Sequence, residues 1–283
     1  MKNTHHLGKR SLIQIILSTV LIIATALIVL FPLYWMLVTS LKMESEIFKI
    51  PPSLIPNEMT MENFLYTFNE TKIPVYFLNS VIYAVCTLLL ALLCASFAAY
   101  SLSRFKFRGK VAYLLIILFT QLMPLTTLIV PLYVSLGNMG MLNNRMSLVL
   151  VYAAVQIPIA TWLLLGYFNS IPRAIDEAAT IDGCNSFMVL HKMILPLSKP
   201  GLMAVGLSVI ISVWQELMLA TTFINMDNTR PLMAGVSAAI TKSGIRWGQM
   251  TATGVIACIP IILIYIFMQR YLVQGLTGGA VKG

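Results

Sequence analysis

Six stretches of this chain are apolar almost without interruption: Leu12 to about Val38, Tyr76 to Leu102, Val111 to Leu136, Met146 to Phe168, Gly201 to Ile224 and Met250 to Met268. A helix needs about 20 apolar residues to cross the hydrocarbon core of a bilayer. Within that core the backbone must satisfy its own polar groups, which a helix does internally. The runs therefore predict an all-α membrane protein with six transmembrane helices. Only 10% of the residues are charged, against about 25% in soluble domains. A length of 283 residues would by itself suggest two domains, at about 150 each. The runs override that and predict one transmembrane domain over 12–270, between an N-terminal tail, 1–11, and a C-terminal tail, 271–283. The first run is longer than the roughly 7–15 apolar residues of a secretory signal and has no small-residue cleavage site after it, so it reads as a span.

A net charge of +9 invites a nucleic-acid reading, which the distribution of charge excludes. With the N-terminus inside, the inner segments hold 12 of the 19 Lys and Arg, among them Arg104, Lys106, Arg108 and Lys110, and three acids. The outer segments hold seven Lys and Arg against six acids. That bias is a topology signal and places both termini in the cytoplasm. The four cysteines form no C-x-x-C pair and read as small hydrophobes. Phosphate-cradling glycine loops, H-E-x-x-H and G-x-S-x-G are absent, and only three scattered histidines occur. The chain thus offers no catalytic residue, no metal site and no cofactor site of its own. If ATP drives it, a separate subunit must bind the ATP.

Between the fourth and fifth runs lies a polar island, 171–200. Pro172 suits a helix start, Asp176 and Glu177 suit the positive end of the helix dipole, and Ala178 and Ala179 favour helix. Gly183 would end that helix, being the residue that takes a left-handed backbone cheaply. A second amphipathic run, Asn185 to Ile194, is expected to stop at Pro196. The pattern is two short helices, the first with an acidic pair, two small side chains and a glycine hinge. Small side chains let another surface approach closely, and a carboxylate can meet an arginine on it.

The sequence Glu177-Ala178-Ala179-Thr180-Ile181-Asp182-Gly183, followed by Leu195-Pro196-Leu197 and Pro200, resembles the coupling loop of the permease subunits of bacterial ABC importers. Further stretches resemble the maltose-type, oligosaccharide-importing branch and its second, shorter permease. They include Phe31 to Met36 with Ser40-Leu41-Lys42, Asn79-Ser80, Trp214-Gln215-Glu216, Arg230-Pro231-Leu232 and Gly275 to Gly283. The resemblance covers nearly the whole chain. Departures are mild: Gln215 and Leu217 stand where Asn and Phe are common, and Cys184-Asn185 where Ala-Ser is usual.

The resemblance implies the type I importer permease fold in the bacterial cytoplasmic membrane. It also implies a second, homologous permease, two ATP-binding cassette subunits holding ATP and Mg, and an extracellular or periplasmic sugar-binding protein as partners. Carried onto this chain, Ala178, Ala179 and Gly183 would fit a cleft of the ATPase, Glu177 would meet a basic group there, and Asp182 would belong to the same coupling surface. The tail, through Gly278, Gly279 and Lys282, would also touch the ATPase, whereas its composition alone suggests a loose end. The segment 225–248 would dock the binding protein.

Glu216 is the sole charged residue in the six runs. Ionisable groups at membrane depth face a bundle interior or a watery cavity, so Glu216 is a translocation-path or gating candidate; a structural, hydrogen-bonded carboxyl is the alternative. Asn79, Gln121 and Gln156, with Trp214 and Gln215, offer planar polar groups and an aromatic face for a sugar. Span-embedded Asn and Gln serve equally as helix–helix hydrogen bonds. A glycerol-phosphate-like or other polar solute is an alternative cargo. No Lys or Arg lies within a run to favour it.

Overall fold

The structure, a computed structural model, describes residues 12–243 and 246–280, with side chains for 14–238 and 246–269. Among them every regular element is helical, in two compact units.

The first unit comprises the described residues up to Glu70 together with 246–256. It holds α1 (Leu12–Ser40), the single turn α2 (Glu44–Ile47), α3 (Glu62–Asn69) and the first turns of the last helix. Apolar side chains of α1 such as Leu21 and Ile28 are exposed, as expected of a helix whose solvent is lipid. After α1 the chain is held by polar ties. Lys42 is buried, donates Nζ–H to the Ser53 carbonyl and lies 4.8 Å from the Trp35 ring centroid. Glu46 Oε1 accepts from Ser53 Oγ, at 2.6 Å, and from the Asn57 N–H, at 2.9 Å. These bonds hold the Glu46 carboxyl below its usual pKa.

The second unit is built on α4 (Ile73–Arg104). It continues through α5 (Lys110–Leu122), α6 (Leu125–Asn138) and α7 (Arg145–Ser170). Next come α8 (Ala174–Ile181), α9 (Ser186–Val189), a π-turn (Leu190–Ile194), α10 (Leu195–Leu197) and α11 (Lys199–Trp214). The last elements are α12 (Met218–Phe223), α13 (Leu232–Ser243) and α14 (Trp247–Ala280), whose residues from Ala257 belong to this unit. Helix α4 packs against α7 and α11. Ala91, Ala95 and Ala99, four residues apart, are fully buried along it, so α4 presents a ridge of methyl groups to its neighbours. Gly235 of α13 admits the Tyr76 ring: a Cβ there would lie 2.0 Å from Tyr76 Cδ2.

Four helices are long and apolar enough to cross a membrane, or up to six if each of two bent pairs is one span. Two expected continuous spans are broken. The run 111–136 is divided into α5 and α6, bent by 96°. Met123 is extended because it precedes Pro124, and proline has no N–H to carry the helix on. The run 201–224 is divided at Gln215–Leu217, leaving α11 and α12. The polar run 185–194 does not stop at Pro196. It widens into the π-turn, where the Leu195 N–H reaches back to Leu190 O, and continues to Leu197. The segment 225–248, expected to be a loop, contains α13, and α14 runs past Met268 to Ala280.

Candidate functional site

The polar island folds as a hairpin of short helices at one end of α4. Helix α8 begins two residues after Pro172, with Asp176 and Glu177 in its first turn. Its end is a Schellman turn: Gly183 N–H donates to Thr180 O at 3.0 Å and Cys184 N–H to Ala179 O at 2.9 Å. Gly183 has φ +84°, which glycine alone adopts without strain. Asn185 caps α9 by accepting the Met188 N–H at 2.9 Å, which gives the departure at that position a local role.

The four candidate side chains on this hairpin divide into two faces. Ala179 is buried against the chain's own core, with Tyr100, Leu102 and Phe168 in the same cluster. Glu177, Ala178 and Asp182 are exposed, as is Gly183. Neither carboxylate has a hydrogen-bond partner among the described residues. Ile181 is 86% exposed on the same short helix.

Sequence reasoning missed what holds α8 in place. Arg104, which entered only as a topology charge, pairs with Asp176 at 3.0 Å (Nε to Oδ1) and donates to Ile171 O at 3.1 Å. Arg173 donates to Ser103 O at 3.1 Å, and Ser103 Oγ donates to Asn169 Oδ1 at 2.7 Å. An Arg ending a span 72 residues before an acid carries no pairing signal in the sequence.

The translocation candidates do not form one cluster. Trp214 is buried, donates Nε1–H to Ala257 O at 3.1 Å and meets Phe77 edge-on. Gln215 follows the last turn of α11 and is exposed. Glu216 sits in the break before α12. Its carboxylate accepts the Leu219 N–H at 2.8 Å, the Ala220 N–H at 3.1 Å and the Tyr152 hydroxyl at 2.9 Å. It caps α12 and ties that helix to α7. Asn79 is buried elsewhere, donating to the carbonyls of Asn228 and Arg230 and accepting from Arg145. Gln121 is exposed on α5, and Gln156 is half-buried on α7 one turn after Tyr152.

The segment 225–231 is closely tied to the rest of its unit. Tyr83 donates its hydroxyl hydrogen to Thr229 O, Asn143 Oδ1 accepts from the Asn225 N–H, and Lys72 pairs with Asp227 at 3.1 Å. The Lys72 hydrogen bond is the main cause that lowers the Asp227 pKa. Gly278 and Gly279 lie within α14, while Lys282 lies outside the described residues.

A family model described as a binding-protein-dependent transport system inner membrane component matches residues 88–278, a region that includes the hairpin. YurM of Bacillus subtilis, a probable ABC transporter permease, is 37% identical over 253 residues, 89% of this chain and 84% of YurM. MalG of Thermococcus litoralis, a trehalose/maltose transport system permease, is 34% identical over 264 residues, 92% of this chain and 94% of MalG. Among solved structures, a chain of a bacterial ABC transporter involved in the import of the acidic polysaccharide alginate has a TM-score of 0.82 at 23% identity. The match covers 95% of this chain and 99% of that one, a likeness of fold.

Proposed function

This chain belongs to the binding-protein-dependent transport system inner membrane components, and on that premise we propose that it is one of two permeases lining the path of an ATP-driven sugar or oligosaccharide importer. The exposed face of α8 is the observation that carries this reading: Glu177, Ala178 and Ile181 outward, Ala179 inward, and a glycine turn that ends the helix within eight residues. Ala178 admits a close neighbour, Glu177 offers a charge to a basic group, and Ile181 offers apolar area to a cleft. A protein with that cleft, which binds and hydrolyses ATP with Mg, is the partner this face fits.

The sugar assignment rests on relatives such as the trehalose/maltose permease. The remaining partners are a second, homologous permease, a second copy of the ATPase and an external sugar-binding protein. Both termini and the hairpin lie on the cytoplasmic side in this reading. The tail residues Gly278, Gly279 and Lys282 are assigned to the ATPase side on the same footing. Glu216, Gln215, Gln156, Gln121, Asn79 and Trp214 remain candidates for the path. Gln215 and Gln121 are the two exposed ones among them.

Purification of the chain from native membrane tests the proposal. A second permease and a nucleotide-binding ATPase are expected with it, and Ala178→Cys, which is exposed, is expected to crosslink to the ATPase. Ala179→Cys, facing inward, is expected not to. Recovery of the chain without an ATPase, together with no crosslink from Ala178→Cys in native membranes, would overturn it.

A further inference from the structure

Directed bonds join the approach to α8 with the end of α4. The Arg104 guanidinium bonds Asp176 in the first turn of α8 and Ile171 O before it. Arg173 returns a bond to Ser103 O. The Arg104 and Asp176 side chains are 8% and 17% exposed, so salt screens the pair little. The second oxygen of the Asp176 carboxylate is enclosed without a donor among the described residues, which leaves that carboxylate dependent on Arg104.

Chain connectivity ties α8 to α7 only through Ile171, Pro172 and Arg173. The apolar contact at Ala179 holds α8 close, but a non-directional contact does not stop it turning about that joint. A planar guanidinium bonded at the start of the joint, to Ile171 O, and beyond it, to Asp176, does stop it. We infer that Arg104 and Asp176 are a positioning pair that makes α8 and α4 move as one body. A displacement of α8 by the ATPase then passes directly to α4, and through its packing to α7 and α11. Without the pair, α8 would follow the ATPase and leave α4 behind. This inference rests on α8 being the ATPase-facing helix.

The test uses the whole complex, with spin labels on Thr180→Cys of α8 and Ser101→Cys of α4, both exposed. The distance between the labels is read without nucleotide and after trapping with ATP and vanadate. With Arg104 and Asp176 intact, one narrow distance is expected in both states. Arg104→Gln and Asp176→Asn are expected to keep that distance without nucleotide and to lose it on trapping, with the double variant no worse than either single one. Arg104→Lys, which keeps the charge pair, is expected to shift less. An unchanged distance in the trapped Arg104→Gln complex overturns the inference. So does a distance already lost without nucleotide, or failure of both single variants to assemble, since the pair would then be only a structural tie. Glu177→Lys is the control for the underlying reading. If it retains the ATPase and full ATP hydrolysis, α8 is not the coupling helix. If it loses them while Arg104→Gln behaves as wild type, only the positioning pair is wrong.

Discussion

Glu216 illustrates how a single residue breaks an otherwise apolar run. A carboxylate at that depth has to be met by donors, and three meet it: two N–H groups of α12 and the Tyr152 hydroxyl. Removing it leaves all three unmet. Glu216→Ala is expected to destabilise the protein in detergent by about 3 kcal/mol or more, since each stranded donor costs about 1–3 kcal/mol. Glu216→Gln keeps an acceptor oxygen and should lose less. Denaturant unfolding of both variants checks this, and equal losses would mean that the carboxylate's charge, not its acceptors, matters. The need for a partner was legible from the sequence; Tyr152, 64 residues earlier, was not, because only the packing of α12 on α7 brings it near. Gly183 was fully legible, because a glycine after a short helix has one common use. Gly183→Ala would force a left-handed alanine at about 1–2 kcal/mol. Beyond the adjoining residues no atom lies within 4 Å of the added Cβ, so the loss should fray α8 without disturbing its neighbours. Faster amide exchange at position 183 and at Cys184, with the spans unchanged, is the expected result.

At the scale of elements, apolar length predicted where helices lie better than where they break. The breaks arise from local chemistry inside apolar runs: Pro124 with its extended predecessor, and Glu216 turning its carboxylate onto the next helix. Hydropathy is blind to both. Helix α13 was hidden for the opposite reason. Its glycine and small residues look like a loop until the Tyr76 ring is seen lying on Gly235. The small-residue ridge of α4 makes a prediction. Ala95→Leu would push three extra carbons into a fully buried contact and should cost about 1–3 kcal/mol by overpacking. Ala98→Leu, on a partly exposed face, should cost less. Comparing their thermal unfolding in detergent decides whether the ridge is a true contact. The connecting segment after α1 has its own pH dependence. The Glu46 pKa is lowered by Ser53 and Asn57, so its stabilising bonds are complete above the ordinary carboxylate range and fade as pH falls through the lowered folded pKa. Exchange of the Asn57 amide should therefore be well protected near neutrality and lose protection in acid, beyond what the intrinsic rate predicts. Glu46→Gln should flatten that dependence.

Within the second unit, charged groups lie at both ends of α4. Thirty-two residues of helix span about 48 Å, enough to carry the two ends of α4 to opposite sides of a bilayer. At one end Arg104 bonds the α8 hairpin, and Lys106, Arg108 and Lys110 follow. At the other, Lys72 and Arg230 share the single carboxylate of Asp227, and Arg145 bonds Asn79 and the Asn228 carbonyl. The run of four cations between Arg104 and Lys110 has no counterpart at the other end, and on the positive-inside rule we propose that the hairpin end is the cytoplasmic one. On that orientation α8 lies on the side that holds ATP. In a background without Cys86, Cys94, Cys184 and Cys258, Met226→Cys should react with an impermeant maleimide on intact cells. Ser186→Cys should react only in inverted vesicles. Both positions are exposed, so a failure to label is not explained by burial. The reverse pattern would put α8 on the side without ATP, and no ATPase could then reach Glu177, Ala178 or Ile181.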